Sequence, residues 1–228
     1  MILLAFDSSA AACSVAVWRD GATLAYERRA MERGHAEALV PLIEAALAQA
    51  AVRFEDLDAV GTTIGPGSFT GVRIALATAH GLSLALGIPV YGVTTFEAVA
   101  LAARRASGVQ APCLVVLETK RADVDAQVLP SDGAAPAPPV ALSPLAAAAL
   151  APDGRFILAG DGAHHLRPHI AAHDVVLATG PGGADAADVA ELAARRFGGG
   201  APDAGRPLPL YVSPPGVTRR PDRPARTA

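Results

Sequence analysis

The run GPGSFTGVR, residues 65–73, joins glycines to hydroxyl side chains and one arginine. Glycines on both sides of a proline favour a tight, open turn, and a serine or threonine after it can cap a following helix. Such a helix start can bind phosphate through its amides and its dipole, with an arginine one turn later as a charged donor. The alternative is a loop that only turns the chain from strand to helix. The candidate phosphate-binding residues here are Gly65, Gly67, Ser68, Thr70 and Arg73.

A second candidate is DSSAAACS, residues 7–14, where Asp7 and Ser8 follow an apolar run. Actin-like ATPases carry an acidic residue and a small-residue phosphate loop at this place. A phosphotransferase of that type needs further carboxylates to hold Mg²⁺, and Glu118 and Asp161 are the candidates. The alternative, which we favour, is that Asp7 caps a turn at the end of a strand.

Histidines recur every four residues at His165, His169 and His173, a spacing that on a helix can bring imidazoles together for a metal. Pro168 interrupts this stretch, and no acidic residue recurs with the histidines. We therefore expect a solvated surface segment and no metal site. The sequence also lacks the G-x-S-x-G pattern of a serine nucleophile.

Two apolar helices are predicted between these candidates. Leucine, isoleucine and alanine recur with helical spacing from Leu39 to Ala50, with Pro41 inside the pattern, and a second helix spans residues 72–86 and is rich in alanine. These apolar faces either pack inside the monomer or form a surface for a partner, and the sequence leaves both possibilities open. The residues assigned to the partner surface are His35, Leu39, Leu42, Ile43, Leu47, Val72, Ala75, Leu76, Ala79, Leu82 and Ser83.

The elements that position these residues alternate between strands and helices. A hairpin, a third strand, a helix, a strand and a helix follow one another, which is the order of an RNase H-like half, and a second, eroded copy begins near Cys113. We predict an α/β protein with an N-terminal lobe at 1–105, a C-terminal lobe at 106–212 and a disordered tail rich in proline and arginine at 213–228. The predicted strands lie at 2–7, 13–18, 23–29, 59–64, 113–117, 124–129 and 156–159, and a further helix at 185–197.

The composition narrows the class of protein. The chain has 228 residues, 51% of them hydrophobic, but alanine supplies much of this fraction and no stretch of about 20 strongly apolar residues occurs. Neither the layout of a signal peptide nor a cysteine cluster is present, so we expect a cytoplasmic protein without a membrane span. With 19 basic and 22 acidic residues, the chain as a whole is not an electrostatic nucleic-acid binder.

The motifs together resemble the TsaB (YeaZ-like) family of the TsaD/Gcp-like (glycoprotease M22-type) superfamily. The likeness rests on the opening strand with Asp7, on HAEALVPLIEAAL at 35–47, on the segment from GPGSFTGVR to TTFEAVA at 65–100, and on PLYV at 209–212. It extends to about Val217. It implies a duplicated RNase H-like fold of the actin-like ATPase (ASKHA) type.

The resemblance also implies a function. Members of this family are non-catalytic subunits that bind TsaD, with TsaE, for threonylcarbamoylation of the adenosine next to the anticodon in tRNAs. Because a surface that meets a related subunit can also meet its own copy, we expect the chain to form a homodimer as well. The chain would need no cofactor of its own, since ATP and a divalent metal are used by the partner complex. Contact with tRNA would be indirect, through that complex.

One departure separates the chain from the transferase itself. TsaD carries an H-x-x-x-H pair that holds its catalytic metal, whereas the corresponding stretch at 94–100 contains no histidine. The resemblance thus favours a scaffold. The alternative function is an independent actin-like ATPase or phosphotransferase using Asp7 and the 65–71 loop, and peptidase activity is suggested only by the old superfamily name.

Overall fold

The computed structural model of the chain describes residues 1–170, 175–178, 182–198 and 206–213. Two five-stranded sheets dominate it. The first has the order β3-β2-β1-β4-β5, with antiparallel pairing among β1 to β3 and parallel pairing of β1 with β4 and β4 with β5. Its strands are β1 (Ile2–Ala10), β2 (Ala12–Arg19), β3 (Ala22–Ala30), β4 (Ala59–Gly65) and β5 (Val90–Thr94).

The second sheet repeats this topology. Its order, β8-β7-β6-β9-β10, has the same antiparallel and parallel pairs in the same places, which confirms the predicted duplication. Its strands are β6 (Cys113–Glu118), β7 (Val124–Leu129), β8 (Val140–Leu142), β9 (Phe156–Ala159) and β10 (Val175–Leu177).

Six α-helices cover the faces of these sheets in the described residues. They are α1 (His35–Gln49), α2 (Phe69–Leu86), α3 (Thr95–Ser107), α4 (Pro144–Ala148), α5 (Ala163–Leu166) and α6 (Ala186–Gly198), and 3₁₀ turns occur at Phe54–Asp56 and Arg167–His169. α1 contains Pro41, and α2 starts at Phe69, three residues before the predicted Val72, because Ser68 caps it by accepting a hydrogen bond from the Gly71 amide. Gly87 ends α2 in the left-handed conformation, which glycine adopts readily at the end of a helix.

The alternation of side chains along each central strand explains how four layers of core form. In β1, Leu4 and Phe6 pack with α1 and α2, whereas Leu3 and Ala5 pack with α6 on the other face. In β6, Val115 and the other side chains on the same face pack with α3, whereas the side chains on the opposite face pack with α4 and α5. Both faces of each sheet are therefore covered by helices.

Two helices pack on the sheet of the other half. α3 precedes the second sheet in the chain yet packs on it, and α6 follows the second sheet yet packs on β1 and β4 of the first. Gly61 in β4 allows this contact, because a Cβ atom there would lie 2.8 Å from that of Ala193. The predicted division after residue 105 thus separates the sheets along the chain, but α3 and α6 cross between them.

The helix α2 is long and apolar enough to span a membrane by length and composition alone. Core helices of soluble proteins can meet the same test, and one side of α2 packs on the first sheet. Of the predicted tail, residues 214–228 lie outside the described residues.

Candidate functional site

The apolar stripes of α1 and α2 face the monomer's own sheet. The assignment of these side chains to a partner surface is wrong, because packing on β1, β2 and β4 leaves each of them at most 6% exposed. His35, Leu82 and Ser83 are half-buried; the His35 ring contacts the Ala10 carbonyl at 3.0 Å, and the Ser83 hydroxyl donates to the Ile88 carbonyl. The buried residues are Leu39, Leu42, Ile43, Leu47, Val72, Ala75, Leu76 and Ala79.

The opposite side of the same two helices is exposed and still apolar. Only 28% of α2 is buried, although the helix is apolar along its length. Leu84 is 78% exposed and Val40 of α1 is 47% exposed. We call this surface the outer helix face; its members are Val40, Pro41, Glu44 and Ala48 of α1 and Thr70, Arg73, Ala77, Gly81 and Leu84 of α2.

The glycine-rich loop packs tightly on Ser8 and Ser9, which follow Asp7 in β1. The Ser68 amide donates to the Ser9 carbonyl at 2.7 Å, and the Ser8 hydroxyl donates to the Gly71 carbonyl at 2.8 Å. A Cβ atom on Gly71 would lie 1.9 Å from the Ser8 carbonyl oxygen, and one on Gly67 2.7 Å from that of Ser9. The space that a phosphate would need between the loop and these two residues is filled by backbone, so this geometry favours the loop's structural role.

Gly65 and Thr70 complete the description of this loop. Gly65 has a φ of 101°, a backbone conformation for which glycine is suited. A cis peptide bond joins it to Pro66. Thr70 lies exposed in the first turn of α2.

Asp7 has a buried carboxyl that stabilises an irregular stretch of β1, where the pairing with β2 shifts register between Asp7 and Ala10. One of its oxygens accepts hydrogen bonds from the Ser9 amide at 3.1 Å and the Ser9 hydroxyl at 2.6 Å. Burial raises the pKa of Asp7 above its ordinary value, and the bonds from Ser9 oppose the rise. A buried carboxyl held by Ser9 fits a structural role, but the predicted strand end at Asp7 is wrong, because β1 continues to Ala10.

Arg73 is part of an exposed aromatic cluster at the N-terminal end of α2. Its guanidinium lies 3.7 Å from the centre of the Phe69 ring, and its Nε donates to the Tyr211 hydroxyl at 3.1 Å. Tyr211 stacks on Phe69 with 5.7 Å between ring centres. The PLYV segment is anchored further by the Leu210 amide, which donates to the Ile64 carbonyl. Sequence reasoning missed Phe69 and Tyr211 as neighbours, although PLYV was among the motifs noted.

The two remaining candidate Mg²⁺ ligands, Glu118 and Asp161, are neighbours in the structure. Asp161 accepts a hydrogen bond from the Glu118 amide at 2.8 Å, and burial raises the pKa of Asp161. Beside them lie His164 and His165, whose Nε2 atoms are 3.5 and 3.2 Å from Glu118 Oε1. His169 is exposed in the 3₁₀ turn, and His173 lies outside the described residues.

The stretch TTFEAVA begins α3. The Thr94 hydroxyl accepts from the Glu97 amide at 3.1 Å, and the Glu97 carboxylate accepts from the Thr94 amide at 2.9 Å, which forms a capping box. Phe96 is fully buried in the core beneath the second sheet. These residues serve the helix and its packing.

Solved structures agree with the fold class. Two RNase H-like sheets related by duplication define the actin-like ATPase fold, and component A of (R)-2-hydroxyglutaryl-CoA dehydratase from Acidaminococcus fermentans superposes with a TM-score of 0.54 at 11% identity, over 87% of this chain and 99% of that one. YeaZ from Pseudomonas aeruginosa superposes with a TM-score of 0.80 at 30% identity, over 92% of this chain and 99% of that one. The chain belongs to the YeaZ (TsaB) family.

Sequence comparisons support the same family. The model of the family TsaD, tRNA N6-adenosine threonylcarbamoyltransferase, matches residues 29–126. The tRNA threonylcarbamoyladenosine biosynthesis protein TsaB of Escherichia coli K12 is 38% identical over 108 residues, which cover 47% of this chain and 46% of that protein. The TsaB protein of Buchnera aphidicola is 36% identical over 104 residues, 46% of this chain and 49% of that protein. The matched segment thus spans about half the length of these curated relatives.

Proposed function

We propose that the chain is a non-catalytic scaffold and activator subunit in the biosynthesis of threonylcarbamoyladenosine in tRNA. In this role it binds TsaD, together with TsaE, and the partner complex uses the ATP and the divalent metal. The observation that carries the proposal is the outer helix face, because an apolar 18-residue helix with only 28% of its residues buried has an unused packing surface.

The proposed occupant of the outer helix face is TsaD. The TsaD family model matches residues 29–126, a range that includes both α1 and α2, so a TsaD chain has counterparts of these helices. Ala77 and Gly81 are one turn apart on α2 and expose no bulky side chain, so a helix of a partner can approach closely there. Val40 and Leu84 supply the apolar area that such contacts bury.

The same surface supports a homodimer. An interface that fits a related chain can also fit a second copy, by packing the helix pair on itself about a two-fold axis. In this proposal the homodimer and the complex with TsaD use the same face and therefore exclude each other.

The alternative of an independent ATPase or phosphotransferase finds less support. Backbone contacts fill the space between the glycine-rich loop and Ser8 and Ser9 of β1, and Asp7 is buried and hydrogen-bonded to Ser9. Arg73 is engaged with Phe69 and Tyr211 rather than aimed at the loop.

The test is binding to TsaD and activity of the reconstituted system with a charge placed on the outer helix face. In Gly81→Glu the new side chain meets no atom within 4 Å of its Cβ, so the monomer should fold. An unpaired carboxylate buried in an interface costs roughly 2 to 5 kcal/mol, which weakens binding by about thirtyfold or more. Co-purification with TsaD and formation of the modified nucleoside should both fall.

Ala106→Glu is the matched control, because it places the same charge on an exposed position of α3. This variant should bind TsaD and support modification like the wild-type chain. A folded Gly81→Glu protein that binds TsaD with unchanged affinity would show that α2 is not the docking surface. ATP hydrolysis by the isolated wild-type chain would instead support the phosphotransferase alternative.

A further inference from the structure

Two loops of the second sheet meet at the carboxyl ends of neighbouring parallel strands. β6 ends at Glu118, and β9 is followed by the turn that leads to His164 and His165 in α5. Since β6 and β9 pair in parallel, their carboxyl ends lie side by side, at the edge where α/β sheets commonly bind ligands. Three side chains with metal-binding atoms therefore converge from two separate loops.

Two of the three distances among these atoms fit a tetrahedral metal centre. The Nε2 atoms of His164 and His165 lie 3.5 and 3.2 Å from Glu118 Oε1, and all three ligand atoms are within 4.8 Å of one another. A zinc ion bound at about 2.0 to 2.2 Å in a tetrahedron separates its ligands by about 3.3 to 3.6 Å. Two edges of such a tetrahedron are thus already close to their required lengths.

The hydrogen bonding of His164 aims an electron pair at this point. Its Nδ1 lies 2.8 Å from the Asp161 carbonyl oxygen, which can only accept, so Nδ1 carries the proton. In the neutral ring the lone pair is then on Nε2, which faces the Glu118 carboxylate. A histidine that donates its other nitrogen to a backbone carbonyl is the usual arrangement of a metal ligand.

A cation fits between the ligand atoms of this cluster. Both imidazoles face the same carboxylate oxygen, and their rings lie 3.9 Å apart between centres. A neutral His164 ring with its proton on Nδ1 turns the Nε2 lone pair toward a negative oxygen, and a cation between them would be attracted to both. A divalent ion between them accepts all three electron pairs.

The loops that carry the ligands are held by their own backbone. The Glu118 amide donates to Asp161 Oδ1, and the Gly162 amide donates to the Val116 carbonyl at 3.0 Å. Gly162 permits this contact, because a Cβ atom there would lie 2.9 Å from the Val116 side chain. The ligand-bearing loops are thus fixed to each other without an ion.

We propose that Glu118, His164 and His165 form a site for a divalent ion of the zinc class. Two imidazoles and one carboxylate favour Zn²⁺, Ni²⁺ or Cu²⁺ over Mg²⁺ and Ca²⁺, which prefer oxygen ligands. The three protein ligands leave a fourth position for water, since all three side chains are exposed. This site departs from the sequence-based expectation of no metal, and it does not depend on the proposed function.

Titration with ZnCl₂ tests the site. The full chain, prepared without a polyhistidine tag and treated with chelator, should bind one Zn²⁺ at neutral pH by calorimetry, and excess Mg²⁺ should not compete. His164→Ala, His165→Ala and Glu118→Gln should each weaken binding by about tenfold to a hundredfold or more. Bound Co²⁺ should show the intense visible absorption of a four-coordinate ion.

His169→Ala is the control, because it removes a nearby exposed histidine that is not in the cluster. It should bind Zn²⁺ like the wild type, and all variants should melt like the wild type without metal, since the substituted side chains are exposed. The proposal is overturned if the wild type shows no saturable binding, or if the three ligand variants bind as tightly as it does. Either result would leave the cluster as a contact between Glu118 and the two imidazoles without a metal.

Discussion

Arg105 of α3 donates from Nη1 to Oδ1 of Asp188 in α6 at 2.8 Å, and this ion pair joins two helices that come from different halves of the chain. Asp188 is 5% exposed, so its carboxyl has lost most of its water. Burial raises its pKa from the ordinary 3.8 to about 6, against the opposing effect of Arg105. The contact that joins the halves is therefore sensitive to pH.

The first prediction is a pH dependence of stability that Asp188→Asn reduces. Between about pH 4 and 6 the folded protein binds a proton at Asp188 that the unfolded chain does not, so this carboxyl makes stability fall as pH rises through that window. A shift of about two pKa units corresponds to about 3 kcal/mol. Denaturant unfolding at several pH values measures the free energy of unfolding. As the pH rises from about 4 to about 6, this free energy should fall less in Asp188→Asn than in the wild type.

Asp153→Asn is the control for this measurement, because it makes the same chemical change at an exposed turn position. Its stability should follow the wild-type pH profile. An Asp188→Asn profile parallel to the wild type would show that Asp188 does not titrate in this window.

The second prediction contrasts two glycines of α2. Gly71→Ala should destabilise the protein by about 3 kcal/mol or more, because the new Cβ would lie 1.9 Å from the Ser8 carbonyl oxygen and the backbone must move. Gly81→Ala meets nothing within 4 Å and should stabilise the helix by about 0.5 to 1 kcal/mol. Thermal melts of both variants would test this, and equal effects would contradict the tight contact at Gly71.

The third prediction separates the buried side of α1 from its exposed side. Leu39 is 0% exposed, so Leu39→Asp buries an unpaired charge in the core and should prevent folding, at a cost of more than about 4 kcal/mol. Val40→Asp places the same charge on the outer helix face, so this variant should fold. Circular dichroism would distinguish the two, and a cooperative wild-type melt of Leu39→Asp would contradict the burial.

The fourth prediction concerns self-association. If the wild-type chain forms the proposed homodimer, Val40→Asp should remain monomeric in analytical ultracentrifugation at concentrations where the wild type dimerises, because the charge loses solvation at the interface. Ala106→Glu should dimerise like the wild type. Added TsaD should compete with the homodimer, and a dimer that survives Val40→Asp would place the interface elsewhere.

The fifth prediction uses Asp7 to separate the two functions. Asp7→Asn keeps an oxygen that can accept from Ser9 and removes a charge that burial disfavours, so the variant should fold and support near-full tRNA modification. Asp7→Ala leaves the Ser9 donors without this acceptor and should cost about 1 to 3 kcal/mol. Loss of modification by a folded Asp7→Asn protein that still binds TsaD would favour the phosphotransferase alternative.

The local secondary structure could be predicted from the sequence because it depends on residues that are close together in the chain. The spacing of side chains predicts the hairpin and the apolar stripe from Leu39 to Leu47, and the backbone preference of glycine is consistent with the helix end at Gly87. The duplicated topology followed from the order of these elements. The richness of α2 in alanine was also visible, although the sequence did not show that Ala77 and Gly81 are exposed.

The tertiary structure decided which surfaces face each other. An apolar stripe has the same spacing whether it packs on a sheet or on a partner, so only the fold shows that Leu39 is buried and that Val40 is not. The crossing of α3 and α6 between the sheets, and the meeting of Glu118 with His164, join residues far apart in the chain. Spacing along a sequence specifies the period of an element, whereas burial and long-range proximity arise only when complementary faces pack to exclude water.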